Sequence, residues 1–180
     1  MKMIETRLPG VLIIEPCVHD DQRGFFVETF QAERFARQTG VTTPFVQDNH
    51  SRSGRGVLRG LHAQRHHSQG KLVRAARGEV FDVAVDIDPA SATFGQWVGA
   101  TLSDSNHRQL WIPPRYAHGF LVLSELADFE YKCTDYYHPE DEIGVIWNDP
   151  DIGIRWPLDN PTLSTKDLAL PTLRDLRPRT

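Results

Sequence analysis

Val80-Phe81-Asp82-Val83-Ala84-Val85-Asp86-Ile87, closed by Asp88-Pro89, sets the fold class: β-branched and apolar residues run for one strand's length before a turn signal stops them. Similar short runs lie at residues 11–15, 25–29, 43–49, 71–76, 96–102, 109–112, 119–123 and 129–136. Separated by Gly, Pro, Asn and Asp, these runs predict an all-β sandwich or barrel with few helices. One helix is expected at residues 31–38, where Phe30, Arg34 and Phe35 keep helical spacing and Gly40 follows as a stop. A short turn is expected to start at Ser164, whose hydroxyl caps Lys166 and Asp167.

The composition sets bounds on function. A chain of 180 residues fits one domain, here read as residues 1–180, with no internal repeat, low-complexity tract or linker. Cys17 and Cys133 are too few for a disulfide framework or a cysteine metal site, which points to a reducing compartment. The only apolar run near the N-terminus is Val11 to Ile14, so neither a signal peptide nor a membrane span is expected, and the reading is cytoplasmic. A net charge of −4 with scattered arginines argues against a nucleic-acid surface and leaves room for a single phosphorylated small molecule. Residues 171–180 fit either a loosely held tail or an arm on a partner subunit.

Outward from the 80–87 strand lie two histidine segments, Arg59-Gly60-Leu61-His62-Ala63-Gln64 with Lys71 and Gly78 downstream, and Pro113-Pro114-Arg115-Tyr116-Ala117-His118-Gly119. Each sets a histidine among small or turn-forming residues and close to fixed positive charge, as proton transfer on an anionic substrate requires. In order and spacing they resemble the two motifs of the cupin superfamily, which implies a double-stranded β-helix, or jelly roll. Metal-binding cupins carry a second histidine where Gln64 stands and a glutamate where Lys71 stands. An ammonium repels a divalent cation and an amide is a poor substitute for imidazole, so no metal or other cofactor is expected in this pocket. His62 is then free to act as a base.

A more specific set of motifs occurs in this order: Asp21-x-Arg23-Gly24-Phe25-Phe26-Val27-Glu28, Phe45-Val46-Gln47-Asp48-Asn49-His50-Ser51, Leu58-Arg59-Gly60-Leu61-His62, Gln69-Gly70-Lys71-Leu72-Val73-Arg74, Asp82-Val83-Ala84-Val85-Asp86, Thr93-Phe94-Gly95 and Ala117-His118-Gly119-Phe120. Together they resemble the dTDP-4-dehydrorhamnose 3,5-epimerase family. That resemblance implies a dTDP-linked 4-keto-6-deoxy sugar as substrate, inversion of C3 and C5 through an enolate, and a homodimer. It implies His62 as base, Asp167 as the carboxylate that orients it, Lys71 as the holder of the enolate oxygen and Tyr131 as the acid on the opposite face. It further implies Arg23, Phe26, Glu28, Gln47, Asn49, Arg59, His118, Glu142 and Lys166 as substrate contacts, with Tyr137 stacked on the thymine. Taken singly, Asp167 reads as a helix N-terminal charge, Lys71 as a solvated strand lysine and Tyr131 as a core aromatic. His19, His50, His66, His67, His107 and His138 read as surface residues.

Two stretches depart from the family pattern: Arg115-Tyr116 replaces Gly-Phe, and Arg65-His66-His67-Ser68 is unusually basic. A non-glycine at 115 constrains the turn unless its backbone avoids positive φ. This keeps open a mono-epimerase or ketoisomerase of a related 4-keto nucleotide sugar. More distant alternatives are a metal-dependent cupin enzyme and a non-catalytic sugar-nucleotide binder.

Overall fold

The computed structural model describes residues 1–177. The strands are β1 (Lys2–Glu5), β2 (Leu12–Glu15), β3 (Val18–Asp21), β4 (Gly24–Val27), β5 (Gln47–Gly54), β6 (Leu58–Gln64) and β7 (Lys71–Arg77). They continue with β8 (Glu79–Asp86), β9 (Trp97–Ser103), β10 (Gln109–Ile112), β11 (Tyr116–Val122), β12 (Leu126–Cys133) and β13 (Glu142–Gly144). Helix α1 (Ala32–Thr39) follows β4, and the single-turn helix α2 (Thr165–Leu168) lies near the C-terminus.

Two antiparallel sheets face one another, in the orders β1-β2-β10-β7-β12-β5 and β13-β6-β11-β8-β9. This is the expected all-β jelly roll. The chain passes from one sheet to the other between β7 and β8 at Gly78, whose φ of 75° suits a residue without a Cβ. A Cβ there would stand 2.1 Å from the Leu126 carbonyl oxygen, so only glycine fits this corner.

Period-two alternation divides each strand between two environments. Val73 and Ala75 of β7, Leu110 and Ile112 of β10 and Phe129 of β12 meet Val80 and Ala84 of β8, Ala100 and Leu102 of β9, and Phe120 of β11 in the space between the sheets. The alternate residues Val83, Val85, Leu61, Ala63 and Ala117 form a second core against Val145, Ile152 and Leu173 of the C-terminal segment. Strand β8 is therefore apolar on both faces because both faces are covered. A third cluster packs Phe35 of α1 against Ile14, Leu72 and Trp111 on the outer side of the larger sheet.

Helix α1 lies one residue from its expected place, with the Gln31 side chain accepting the Arg34 N–H and the Gly40 N–H bonding Ala36 O at 2.9 Å. The strand expected at 43–49 begins only at Gln47 and runs on to Gly54. Residues 171–177 pack on their own chain, with Pro171 O bonded to Ile146 N and Leu173 buried in the second core, so neither a loose tail nor a partner arm describes them; residues 178–180 lie outside the described residues. The hairpin β3–β4 forms a sheet of its own and leaves Phe25 and Phe26 exposed. Among the described residues no helix is long and apolar enough to cross a membrane.

Candidate active site

The alternation that builds the inter-sheet core turns polar at one end of it. On β6, His62 lies opposite His118 of β11 in register; on β12, Tyr131 lies opposite Asn49 of β5 and Val73 of β7. Lys71 opens β7, opposite Cys133. Each occupies the inward phase set by its apolar neighbours, so His62, Lys71, His118, Tyr131, Asn49 and Arg59 line one cavity of about 510 Å³. The stacked rings of Phe120 and Phe129, 4.0 Å apart, continue the apolar core beneath the His118 and Tyr131 rings.

The wall opposite the sheets comes from the C-terminal segment. Thr162 ties down by bonding Leu58 N and Gly56 O, at 2.9 and 2.8 Å. Ser164 then caps α2 by accepting the Asp167 N–H at 3.1 Å. That turn presents the Asp167 carboxylate to His62, with Oδ1 and Nε2 only 2.6 Å apart. Asp167 is thus a helix N-terminal charge and an imidazole partner at once, so its two sequence readings are one. With Nε2–H donated to Asp167, the Nδ1 lone pair is left as the basic site.

Around this pair the charges alternate. Lys166 Nζ lies 2.7 Å from Glu142 Oε1, and the Tyr137 hydroxyl donates to Glu142 Oε2. Burial acts to raise the Glu142 carboxyl, but the Lys166 and Tyr137 hydrogen bonds outweigh it and hold the group below its usual range. Gln47, Tyr137 and Glu142 line an adjoining cavity of about 350 Å³ that shares Asn49, His62, Lys71 and Tyr131 with the first. The joint cleft therefore has His62, Lys71 and Tyr131 at its waist.

Burial pulls the Lys71 ammonium below its ordinary pKa, opposed by the nearby Cys133, Glu142 and Asp82. An ammonium in that environment interacts strongly with any negative charge arriving beside it. Burial likewise pushes the Tyr131 hydroxyl up, which keeps it protonated as an acid must be. His118 sits behind the cleft wall with Nε2 2.9 Å from Asp82 Oδ2. Burial raises Asp82, and His118 and Lys71 draw it back.

These contacts also test the site for the metal that many cupins carry. Gln64 spends its amide on the backbone, donating to His67 O and Tyr136 O and accepting from His138 N. Lys71 faces the same cavity as His62 and His118 and sets a cation where a third ligand would stand. This donor set does not fit a divalent ion.

The model of the dTDP-4-dehydrorhamnose 3,5-epimerase family matches residues 5–175. The chain belongs to this family. A dTDP-4-dehydrorhamnose 3,5-epimerase of Salmonella typhimurium is 57% identical over 175 residues, covering 96% of each chain. Another, from Pseudomonas aeruginosa, is 57% identical over 168 residues and covers 93% of each. The crystal structure of a dTDP-6-deoxy-D-glucose-3,5-epimerase from Legionella pneumophila, in complex with dTDP-4-keto-L-rhamnose, superposes with a TM-score of 0.95 at 55% identity, covering 99% of this chain and 98% of that one. As a family member the chain is an isomerase, and 3,5-epimerisation of the 4-keto sugar nucleotide is its reaction.

The structure brings most of the expected site residues together in this cleft but places three elsewhere. Arg23 pairs with Asp21 on the exposed hairpin, Phe26 is 70% exposed beside it, and Glu28 pairs with Arg34 of α1 at 2.8 Å. Arg115 takes a φ of 73°, the left-handed conformation that a side chain disfavours. Its N–H donates to Ser68 Oγ at 2.6 Å and its guanidinium to Asp88 at 2.8 Å, so it faces away from the His62 cleft. The departure at 115 is thus a surface feature.

Sequence reasoning missed other parts of the site. Asp82 carries the visible signal of a carboxylate inside an apolar strand. His50, read as a surface residue, is exposed on β5 and faces Asp128 and Glu130. Thr162 and Leu163 gave no signal at all.

Proposed function

We propose that His62, held by Asp167, removes the protons at C5 and C3 of dTDP-4-dehydro-6-deoxy-D-glucose, that Tyr131 delivers a new proton to each carbon from the opposite face, and that water takes the proton from His62 and reprotonates Tyr131 between the two inversions. Both carbons lie next to the C4 ketone, so each deprotonation yields an enolate whose oxygen carries the charge. Lys71 takes that charge. The observation that carries the reading is the 2.6 Å His62–Asp167 contact at a waist shared with Lys71 and Tyr131. The carboxylate stabilises the imidazolium formed on proton removal, and a positioned base of this kind is worth about 10²–10⁴ in rate. Lys71 acts where charge develops, a role whose loss typically costs about 10²–10³.

The elongated cleft suits an elongated substrate. Arg59 and Lys166 stand where cations meet the diphosphate, while Gln47, Asn49, His118 and Glu142 supply hydrogen-bonding walls and Tyr137 a face for thymine. Arg23, Phe26 and Glu28 reach a substrate only from a second copy. This supports a homodimer in which the exposed hairpin of one chain completes its partner's cleft. Two free cysteines and a nucleotide-linked substrate suit the cytoplasm.

Proton NMR in deuterated water with dTDP-4-keto-6-deoxyglucose tests the chemistry. Deuterium is expected at both C3 and C5. No exchange at either carbon would overturn the reading, and exchange at one alone would make the protein a mono-epimerase.

A further inference from the structure

The basic loop Arg65-His66-His67-Ser68 is not accounted for by the epimerase site, and it meets a second loop outside the cleft. The His67 and His138 rings stack with centroids 3.8 Å apart, and His67 Nδ1 lies 3.6 Å from Asp135 Oδ2. One donor atom from each of His67, Asp135 and His138 falls within 4.8 Å of the other two. We propose that these three side chains form a surface site for one borderline divalent cation, Zn²⁺ being the best match to two imidazoles and a carboxylate.

The backbone around all three is fixed in advance by buried groups. The Gln64 amide, 5% exposed, donates to His67 O at 2.8 Å and accepts from His138 N at 2.6 Å, so one side chain sets the two histidines side by side. Gln69, 8% exposed, donates to Asp135 O at 2.8 Å. The Asp141 carboxylate receives the His66 and His67 N–H groups and fixes the loop from below. Asp135 uses Oδ1 to accept the Tyr136 N–H at 2.8 Å, which turns Oδ2 towards the histidines.

Donor chemistry then selects the ion. Imidazole and carboxylate nitrogen and oxygen ligands at about 2.0–2.2 Å suit zinc, and tetrahedral geometry sets neighbouring donors about 3.3 Å apart. The His67–Asp135 separation is already close to that. Only a slide of the stacked rings is needed to bring in the third donor. Glu140 Oε1 lies 3.5 Å from His138 Nδ1, the carboxylate partner that metal-bound imidazoles ordinarily have, which leaves Nε2 as the ligand. All three side chains reach solvent, so water completes the coordination. A bound ion ties the 65–69 loop to the 134–138 loop on either side of Tyr136 and Tyr137.

The test is titration of tag-free, full-length, chelator-stripped protein with Zn²⁺, followed by calorimetry and by NMR of the imidazole carbons. One equivalent per chain is expected, with shifts confined to the His67 and His138 rings and a Tm rise of about 5 °C at a hundredfold excess over Kd. His67→Ala and His138→Ala should each weaken binding at least tenfold, and Glu140→Gln about tenfold. Epimerase turnover without metal should be the same in all three variants. Absence of saturable uptake, or ring shifts at other histidines, would overturn the site. Because the NMR arm uses the unmodified protein, a variant that fails to fold leaves the result intact.

Discussion

At the residue scale, the cleft makes His62, Asp167 and Tyr131 separable. His62→Ala should abolish deuterium exchange. Asp167→Asn keeps the shape but removes the charge that supports the imidazolium, so kcat should fall by about 10²-fold or more with KM little changed. Tyr131→Phe removes the proposed acid and leaves the proposed base, so proton loss should continue while the stereochemical outcome degrades. Wild-type behaviour in Tyr131→Phe would mean that another group is the acid. A different residue contributes to acid stability. Asp128 accepts both Arg52 nitrogens, at 2.6 and 2.9 Å, and these bonds hold its carboxyl at about 2. A folded pKa below the unfolded one gives stability that is full above about pH 4 and is lost as pH falls towards 2. Asp128→Asn should therefore flatten the acid limb of a Tm-against-pH curve in that window, with the difference from wild type largest near neutrality.

At the element scale, β6 and β11 approach each other closely at Gly60. Gly60 has a φ of 118°, and a Cβ there would lie 2.7 Å from both Gly119 Cα and His118 O. Backbone on both sides cannot yield as a flexible side chain would. Gly60→Ala should destabilise the fold by about 2 kcal/mol or more and move His62, two residues on, so that kcat falls even in the folded fraction; urea melts with matched kinetics would read both. The same strand marks the limit of what the sequence makes legible. Val80 to Ile87 announces itself because it is buried on both faces. Strand β6 contains Gly60 and few β-branched residues, so its strand character depends on neighbours it meets only in the fold. Strand β5 reads Gln-Asp-Asn-His-Ser-Arg-Ser-Gly because one end of it faces a polar cleft, and its lack of apolar alternation hides its true extent. The site was legible where a motif holds several residues together, as at 58–62 and 69–74. It was not legible where a contact spans the chain, as between His118 and Asp82, or where the Gln64 and Gln69 amides hold loops.

At the scale of the whole molecule, the exposed β3–β4 hairpin bears on the proposed dimer. Phe25 and Phe26 are 58% and 70% exposed, more than a lone two-stranded hairpin needs to leave bare. Light scattering should give twice the 20.5 kDa chain mass. Arg23→Ala should raise KM for the sugar nucleotide without dissociating the dimer. A dimer formed from one Arg23→Ala chain and one His62→Ala chain should keep one fully working cleft, because both lesions then fall in the other; a site built within a single chain would leave none intact. A monomer with normal KM would refute the shared site.

The carboxylate bonded to His62 arrives 105 residues after it in the chain, on a single turn of helix tethered through Thr162. Such a tether, held by a few bonds, is expected to open before the large cooperative barrel does. Activity therefore doubles as a reporter of how firmly the last segment is seated. Low urea should silence turnover while the far-ultraviolet signal of the sheets is unchanged, and dilution should restore it as fast as one short segment can find its groove.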